Sequence, residues 1–98
     1  MKAAILRAPN VLEVADMATP QAGPGELILS IRAATVCGTD LRILSGKKTK
    51  GIRFPSVIGH EFSGVVVEAG AGVKDFTTGD RVCMDPVVPC RACPYCKA

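Results

Sequence analysis

Glycine and proline interrupt this chain too often for long helices to form. Ten Gly and seven Pro fall among 98 residues, and each favours a turn or irregular backbone where it stands. Short strands joined by turns are what such punctuation allows. The side chains left to pack between them are aliphatic. The aromatic residues are Phe54, Phe62, Phe76 and Tyr95, with no Trp, so Val, Ile, Leu and Ala must supply the core. A chain of this length makes one domain with a modest core, because small domains bury a smaller share of their surface.

Between the breakers the pattern is that of strands. "KAAIL" is a short apolar run ended by Pro9–Asn10, and "VLEVADM" alternates as its hairpin partner should. "TPQAGPGE" is a loop. "ELILSIRAATV" sets Leu27, Leu29, Ile31 and Ala33 on one face and Ile28, Ser30, Arg32 and Ala34 on the other, the pattern of a half-buried strand. In "TDLRILSG" the spacing turns helical: Thr39 or Asp40 caps a short helix carrying Leu41 and Leu44, and Gly46 ends it. Pro55 and Gly59 bracket "SVI". "SGVVVEAGAG" is a β-branched strand closed by Gly70 and Gly72, and a Thr78–Gly79–Asp80 turn leads into "RVCMD". Pro86 and Pro89 end regular structure. The whole predicts a mainly β fold, a small barrel or sandwich with one short helix. No internal repeat is present, and no G-x-G-x-x-G follows a strand, so a dinucleotide-binding fold is not visible.

Charge narrows the classes of partner. Twelve basic residues stand against nine acidic ones, a net charge of +3. That balance, without aromatic–basic interleaving, argues against nucleic acid. The densest basic run, "GKKTKGIR", holds Lys47, Lys48, Lys50 and Arg53 and reads as a solvated loop. The apolar run between Lys2 and Arg7 falls short of the about 7–15 residues of a signal peptide or the about 20 of a spanning helix. A soluble, cytoplasmic protein without a membrane partner is expected. In a reducing compartment, five cysteines are metal ligands or buried thiols rather than disulfides.

The tail "PCRACPYCKA" carries the strongest chemical signal. Cys90, Cys93 and Cys96 are too close for all three to be ordinary core residues, and structural zinc or an iron–sulfur cluster are the candidates. Irregular, Pro-containing backbone around thiolates favours zinc. A tetrahedral site needs a fourth ligand, which this run does not contain. Cys83, inside "RVCMD", reads as an inert thiol in an alternating strand. Elsewhere the one histidine, His60, stands beside Glu61, and Cys37 lies at the end of the long strand. Cys, His and carboxylate are the ligand types of a catalytic zinc, which uses three of them and keeps one position open. Asp40 is suited to hold an imidazole in one tautomer. Equally, Cys37 could be a buried thiol and Asp40 a helix cap; spacing alone leaves both readings standing.

Together these residues resemble a known family. "GHEFSGVVVEAGAGV" is similar to the zinc signature of the medium-chain zinc-containing alcohol dehydrogenases, with Gly64, Gly70 and Val73 at the family's spacing, "CGTD" upstream, and "GDRV" and the cysteine lobe downstream. The likeness runs over essentially the whole chain and is strongest toward the sorbitol, threonine and related polyol dehydrogenases. It implies a partly open GroES-like β-barrel with a cysteine-rich structural-zinc lobe beginning at 86–98, so that residues 1–98 form an incomplete N-terminal catalytic domain. It also implies that Cys37, His60 and Glu61 hold or adjoin a catalytic zinc and that Cys90, Cys93 and Cys96 hold a structural one. By the same resemblance Thr39 takes the substrate hydroxyl proton and Asp40 supports the histidine. The parent enzyme would oxidise a secondary alcohol or polyol with NAD or NADP and assemble as a dimer or tetramer.

Two features depart from the pattern. Many relatives carry a histidine shortly after "CGTD" that passes the proton onward; Arg42 stands at that place, and a guanidinium cannot gain and lose a proton near neutral pH. The Rossmann domain, the remaining catalytic ligand and the fourth structural cysteine are expected downstream of residue 98, which would leave this chain inactive alone. The alternatives are a GroES-like or metal-binding module without redox catalysis.

Overall fold

The structure, a computed structural model, describes residues 1–97. Its order is β1 (Lys2–Ala8), β2 (Val11–Asp16), β3 (Leu27–Ala34), α1 (Gly38–Leu44), β4 (Ser56–Val57), β5 (Phe62–Ala69), β6 (Arg81–Cys83) and α2 (Pro94–Lys97). The mainly β expectation holds. Of the lobe expected over 86–98, Ala98 lies outside the described residues.

The strands form two antiparallel three-stranded sheets, ordered β2-β1-β4 and β3-β5-β6. The first begins as the expected hairpin. Lys2 faces Asp16 and Leu6 faces Leu12, and Asn10 takes φ 60° in the turn, a left-handed conformation that Asn tolerates better than most residues. β4 pairs with the far edge of β1, setting Leu6 against Ser56. Leu6, on the central strand, is completely buried.

In the second sheet β5 is central, paired with β3 on one side and β6 on the other. Val66 in its middle is completely buried. Gly64, opposite Ile31, has no room for a side chain: a Cβ there would stand 2.5 Å from the Ser30 carbonyl oxygen. Gly70 is tighter still, since a Cβ would overlap the carbonyl oxygen of Gly23. The long strand departs from its alternating pattern. Its register against β5 shifts twice, between Ile28 and Leu29, where the unpaired residue is Val67 of β5, and between Ile31 and Ala33, where it is Arg32 of β3; each extra residue turns the side chains that follow it on its own strand to the other face. Leu27–Ser30 are half-buried as expected, but Ile31 is 49% exposed.

Both helices correct the sequence reading. The cap of α1 is Cys37, not Thr39 or Asp40. Asp40 stands at the third helical position and returns its carboxylate to the Cys37 N–H, closing a capping box. Ile43 is the buried apolar residue of the helix, while Leu41 is exposed. Gly46 ends it as expected, at φ 75°. α2 is a single turn opened by Pro94, in a tail expected to lack regular structure.

The core is thin. Leu6, Ile43 and Val66 are its buried apolar residues among those described. The radius of gyration is 15.5 Å, against about 13 Å for a compact domain of this size, and the molecule measures 40 × 40 × 21 Å. It is open, as the partly open barrel required. Among the described residues no helix is long and apolar enough to cross a membrane.

Candidate metal centres

The fold brings residues from two places in the chain to one point. Cys37 closes the segment leaving β3, His60 and Glu61 precede β5, and one ligand atom from each lies within 4.8 Å of the other two. Zinc bonds of about 2.0–2.3 Å would draw such a set around one ion with small side-chain movements. The donors are one sulfur, one nitrogen and one oxygen, the mixed set of a catalytic rather than a structural zinc.

Asp40 stands behind this triad and is nine-tenths buried. Its Oδ2 accepts the Cys37 N–H at 3.0 Å, and its Oδ1 lies 3.4 Å from His60 Nδ1. That Oδ1 is fully buried without a hydrogen-bond partner, a costly state for a carboxylate. A cationic or metal-bound imidazole donating from Nδ1 would satisfy it, with Nε2 left as the ligand atom. The orphaned oxygen therefore fits a metal on the other side of His60.

The electrostatics agree. The Thr39 N–H, 3.2 Å from Cys37 Sγ, holds the thiol below its ordinary value, helped by the Thr39 hydroxyl and His60 and opposed by burial. The hydrogen bond to Cys37 in turn raises His60 above its ordinary value, against burial and with the charges of Asp40, Cys37 and Glu61. Thr39 thus sits at the Cys37 sulfur, and Arg42 is exposed in the last turn of α1, where its charge complements the helix C-terminus.

Cys90, Cys93 and Cys96 form a second cluster, again with sulfurs within 4.8 Å of one another. Arg91 takes φ 56°, which turns the following peptide so that the Cys93 N–H reaches Cys90 Sγ at 3.4 Å. The turn of α2 then sets Cys96 Sγ 3.5 Å from Cys90 Sγ. Backbone N–H groups of Cys93 and Ala92, then the Cys93 and Cys96 thiols, lower the Cys90 thiol to about 6, a setting for thiolate ligands. Cys83 is exposed on β6 and belongs to neither cluster among the described residues.

Residues 23–98 match the model of the alcohol dehydrogenase GroES-like domain. The chain belongs to this family. Relatives include an L-threonine 3-dehydrogenase of Thermococcus kodakarensis, 37% identical over 87% of this chain and 25% of that protein. An NAD-dependent alcohol dehydrogenase of Sulfolobus acidocaldarius is 39% identical over 99% of this chain and 30% of its own length. The zinc-dependent alcohol dehydrogenase 2 from Streptococcus pneumonia superimposes with a TM-score of 0.85 at 36% identity, covering 99% of this chain and 28% of that one. The GroES-like chain thus spans between a quarter and a third of the relatives it matches, and its two open sheets are the GroES-like fold that the sequence implied.

Thr35 is the residue that sequence reasoning missed. Its hydroxyl donates to Glu61 Oε2 at 2.6 Å and its N–H to the Glu61 carbonyl at 3.0 Å. No motif marks it; only the pairing of β3 with β5 brings residues 35 and 61 together.

Proposed function

We propose that this chain is the metal-binding, N-terminal catalytic part of a zinc-dependent dehydrogenase that oxidises a secondary alcohol or polyol with NAD or NADP. The observation that carries this reading is the convergence of Cys37, after β3, with the adjacent His60 and Glu61, before β5, in front of the buried Asp40. Cys37 and His60, with Glu61 close by and a further ligand from another part of the parent, would hold a zinc that keeps a position for a substrate oxygen. Zinc held there would act as a Lewis acid, lowering the pKa of a substrate hydroxyl so that its proton leaves near neutral pH.

The chain's own residues define the rest. Cys37 and His60 supply sulfur and nitrogen, and Asp40 orients the imidazole. Thr39, at the rim beside Cys37, receives the hydroxyl proton at its Oγ1. Beyond Thr39 the proton leaves through water, because Arg42 stands where a titratable relay residue would be needed. Cys90, Cys93 and Cys96 hold a second, structural zinc whose remaining ligand comes from outside the three. The nicotinamide is held by another part of the parent, since this sequence has no G-x-G-x-x-G. A homodimeric or homotetrameric cytoplasmic enzyme, acting on a small molecule, is the setting that the family likeness supports.

The test is to load the purified 98-residue chain with zinc and measure metal content and hydride transfer together. Weakly held zinc, at most two ions per chain and one fewer in Cys37→Ser, with no reduction of NAD or NADP by an alcohol, is the expected result. Failure to bind any metal would overturn the reading. Reduction of nicotinamide at enzymatic rates would show that this chain is complete as a catalyst.

A further inference from the structure

We propose that Thr35 is a positioning residue that presents Glu61 to the metal through one carboxylate oxygen; the inference rests on the metal-site reading above. Thr35 grips Glu61 at two points, its N–H on the backbone carbonyl and its hydroxyl on Oε2. The backbone bond fixes where the Glu61 main chain sits, and the hydroxyl bond then selects a side-chain direction. At 2.6 Å the second bond has the length of a charge-assisted O–H···O⁻ contact.

A hydroxyl carries one proton, and here it is given to Oε2. That leaves Oε1 as the oxygen best placed to bind, so Glu61 acts as a monodentate ligand held in advance. Glu61 is exposed, and a free glutamate there would sample many rotamers. The bond to Thr35 removes that freedom before the metal arrives, which is preorganisation in the ordinary sense. Both residues line the apolar cleft of about 600 Å³ on one side and a smaller cleft with His60 and Cys83 on the other. The clamp therefore also fixes which way the carboxylate leans between two open spaces.

Cadmium-113 binding to the 98-residue chain, followed by NMR, tests this without relying on turnover. A site with one thiolate and a site with three give separate resonances. Thr35→Val keeps the shape and removes the donor; it should weaken cadmium at the one-thiolate site about tenfold, the scale on which second-layer partners act. The three-thiolate site should be unchanged. Thr35→Ser, which keeps the hydroxyl, should stay within about twofold of the unaltered chain. In a Glu61→Gln background Thr35→Val should add little, because the two residues act as one unit.

Thr35→Val within twofold of the unaltered chain would overturn the proposal, as would Thr35→Ser falling as far as Val or independent, multiplying losses in the double variant. Absence of a one-thiolate resonance in the unaltered chain would instead remove the metal-site reading on which the proposal stands. The two failures are thus distinguishable.

Discussion

Asp40 is the residue on which two functions converge. It caps α1 through the Cys37 N–H and faces His60 with a buried oxygen that lacks a hydrogen bond. Asp40→Asn keeps a capping acceptor but removes the charge behind the imidazole. Zinc affinity at the Cys37 site should fall about 10–100-fold, with helix content by circular dichroism nearly unchanged. Asp40→Ala should lose the cap as well, at about 1 kcal/mol. The coupling of Cys37 and His60 gives a titration to check. With no metal bound, His60 should titrate above its ordinary 6.5 because Cys37 accepts its hydrogen bond, and Cys37→Ser should return it toward 6.5, read from the imidazole proton shifts. The sign follows from linkage. The raised His60 stabilises the metal-free fold fully below 6.5, and this is lost as pH rises through its folded value. The lowered Cys37 stabilises it above 9.0, and this is lost as pH falls through its own. Zinc needs neutral imidazole and thiolate, so its affinity should rise with pH. The candidate ligands were legible in the sequence because Cys, His and Glu are scarce and chemically distinct. Thr35 was not, since a threonine near a strand end has no local mark of what faces it across the sheet.

At the scale of elements, the strands were legible and their irregularities were not. Gly, Pro and β-branched runs set the ends of β1, β2 and β5, which depend on local turn chemistry. The bulges, at Arg32 of β3 and Val67 of β5, depend on matching the two strands, and the sequence of β3 alone shows only clean alternation. The cap of α1 was misread for a related reason: Thr39 and Asp40 are better capping types than Cys, but Asp40 serves the box from the third position and leaves the cap to Cys37. That arrangement points the Cys37 sulfur at the helix N-terminus, so the candidate metal ligand and the helix start are one feature. Two glycines of "GHEFSGVVVEAGAG", Gly64 and Gly70, have a packing reason. Gly70 donates its N–H to the Glu26 carbonyl at 2.8 Å while its Cα lies against Gly23, which ties the end of β5 to the loop before β3. Gly70→Ala should destabilise the chain by about 2–3 kcal/mol, as overpacking against rigid backbone does. The measurement is a urea unfolding curve, with a lowered midpoint and unchanged slope. A midpoint equal to the unaltered chain would mean that the loop at Gly23 moves aside without cost.

At the scale of the molecule, a thin core would make any bound zinc part of the fold. Three buried apolar side chains among the described residues, and an apolar cleft of about 600 Å³ between the sheets, leave little hydrophobic reserve. Val14, Val36, Leu41 and Val57 are each more than half exposed. The two clusters should differ in what they add. Cys90, Cys93 and Cys96 lie within one short segment closed by its own backbone, so zinc can bind them even when the sheets are unfolded. A ligand that binds both states stabilises neither over the other. Cys37 and His60 belong to segments that meet only when β3 pairs with β5, so zinc there selects the folded state. At about 100 times its dissociation constant such an ion is worth about 2.7 kcal/mol, or about 10–20 °C in Tm for a domain of this size. Thermal unfolding should therefore rise by that much on adding zinc. Cys37→Ser should abolish most of the gain and Cys90→Ser little of it. The reverse order would mean that the cysteine lobe packs on the sheets and that its closure, not the Cys37 site, locks the fold.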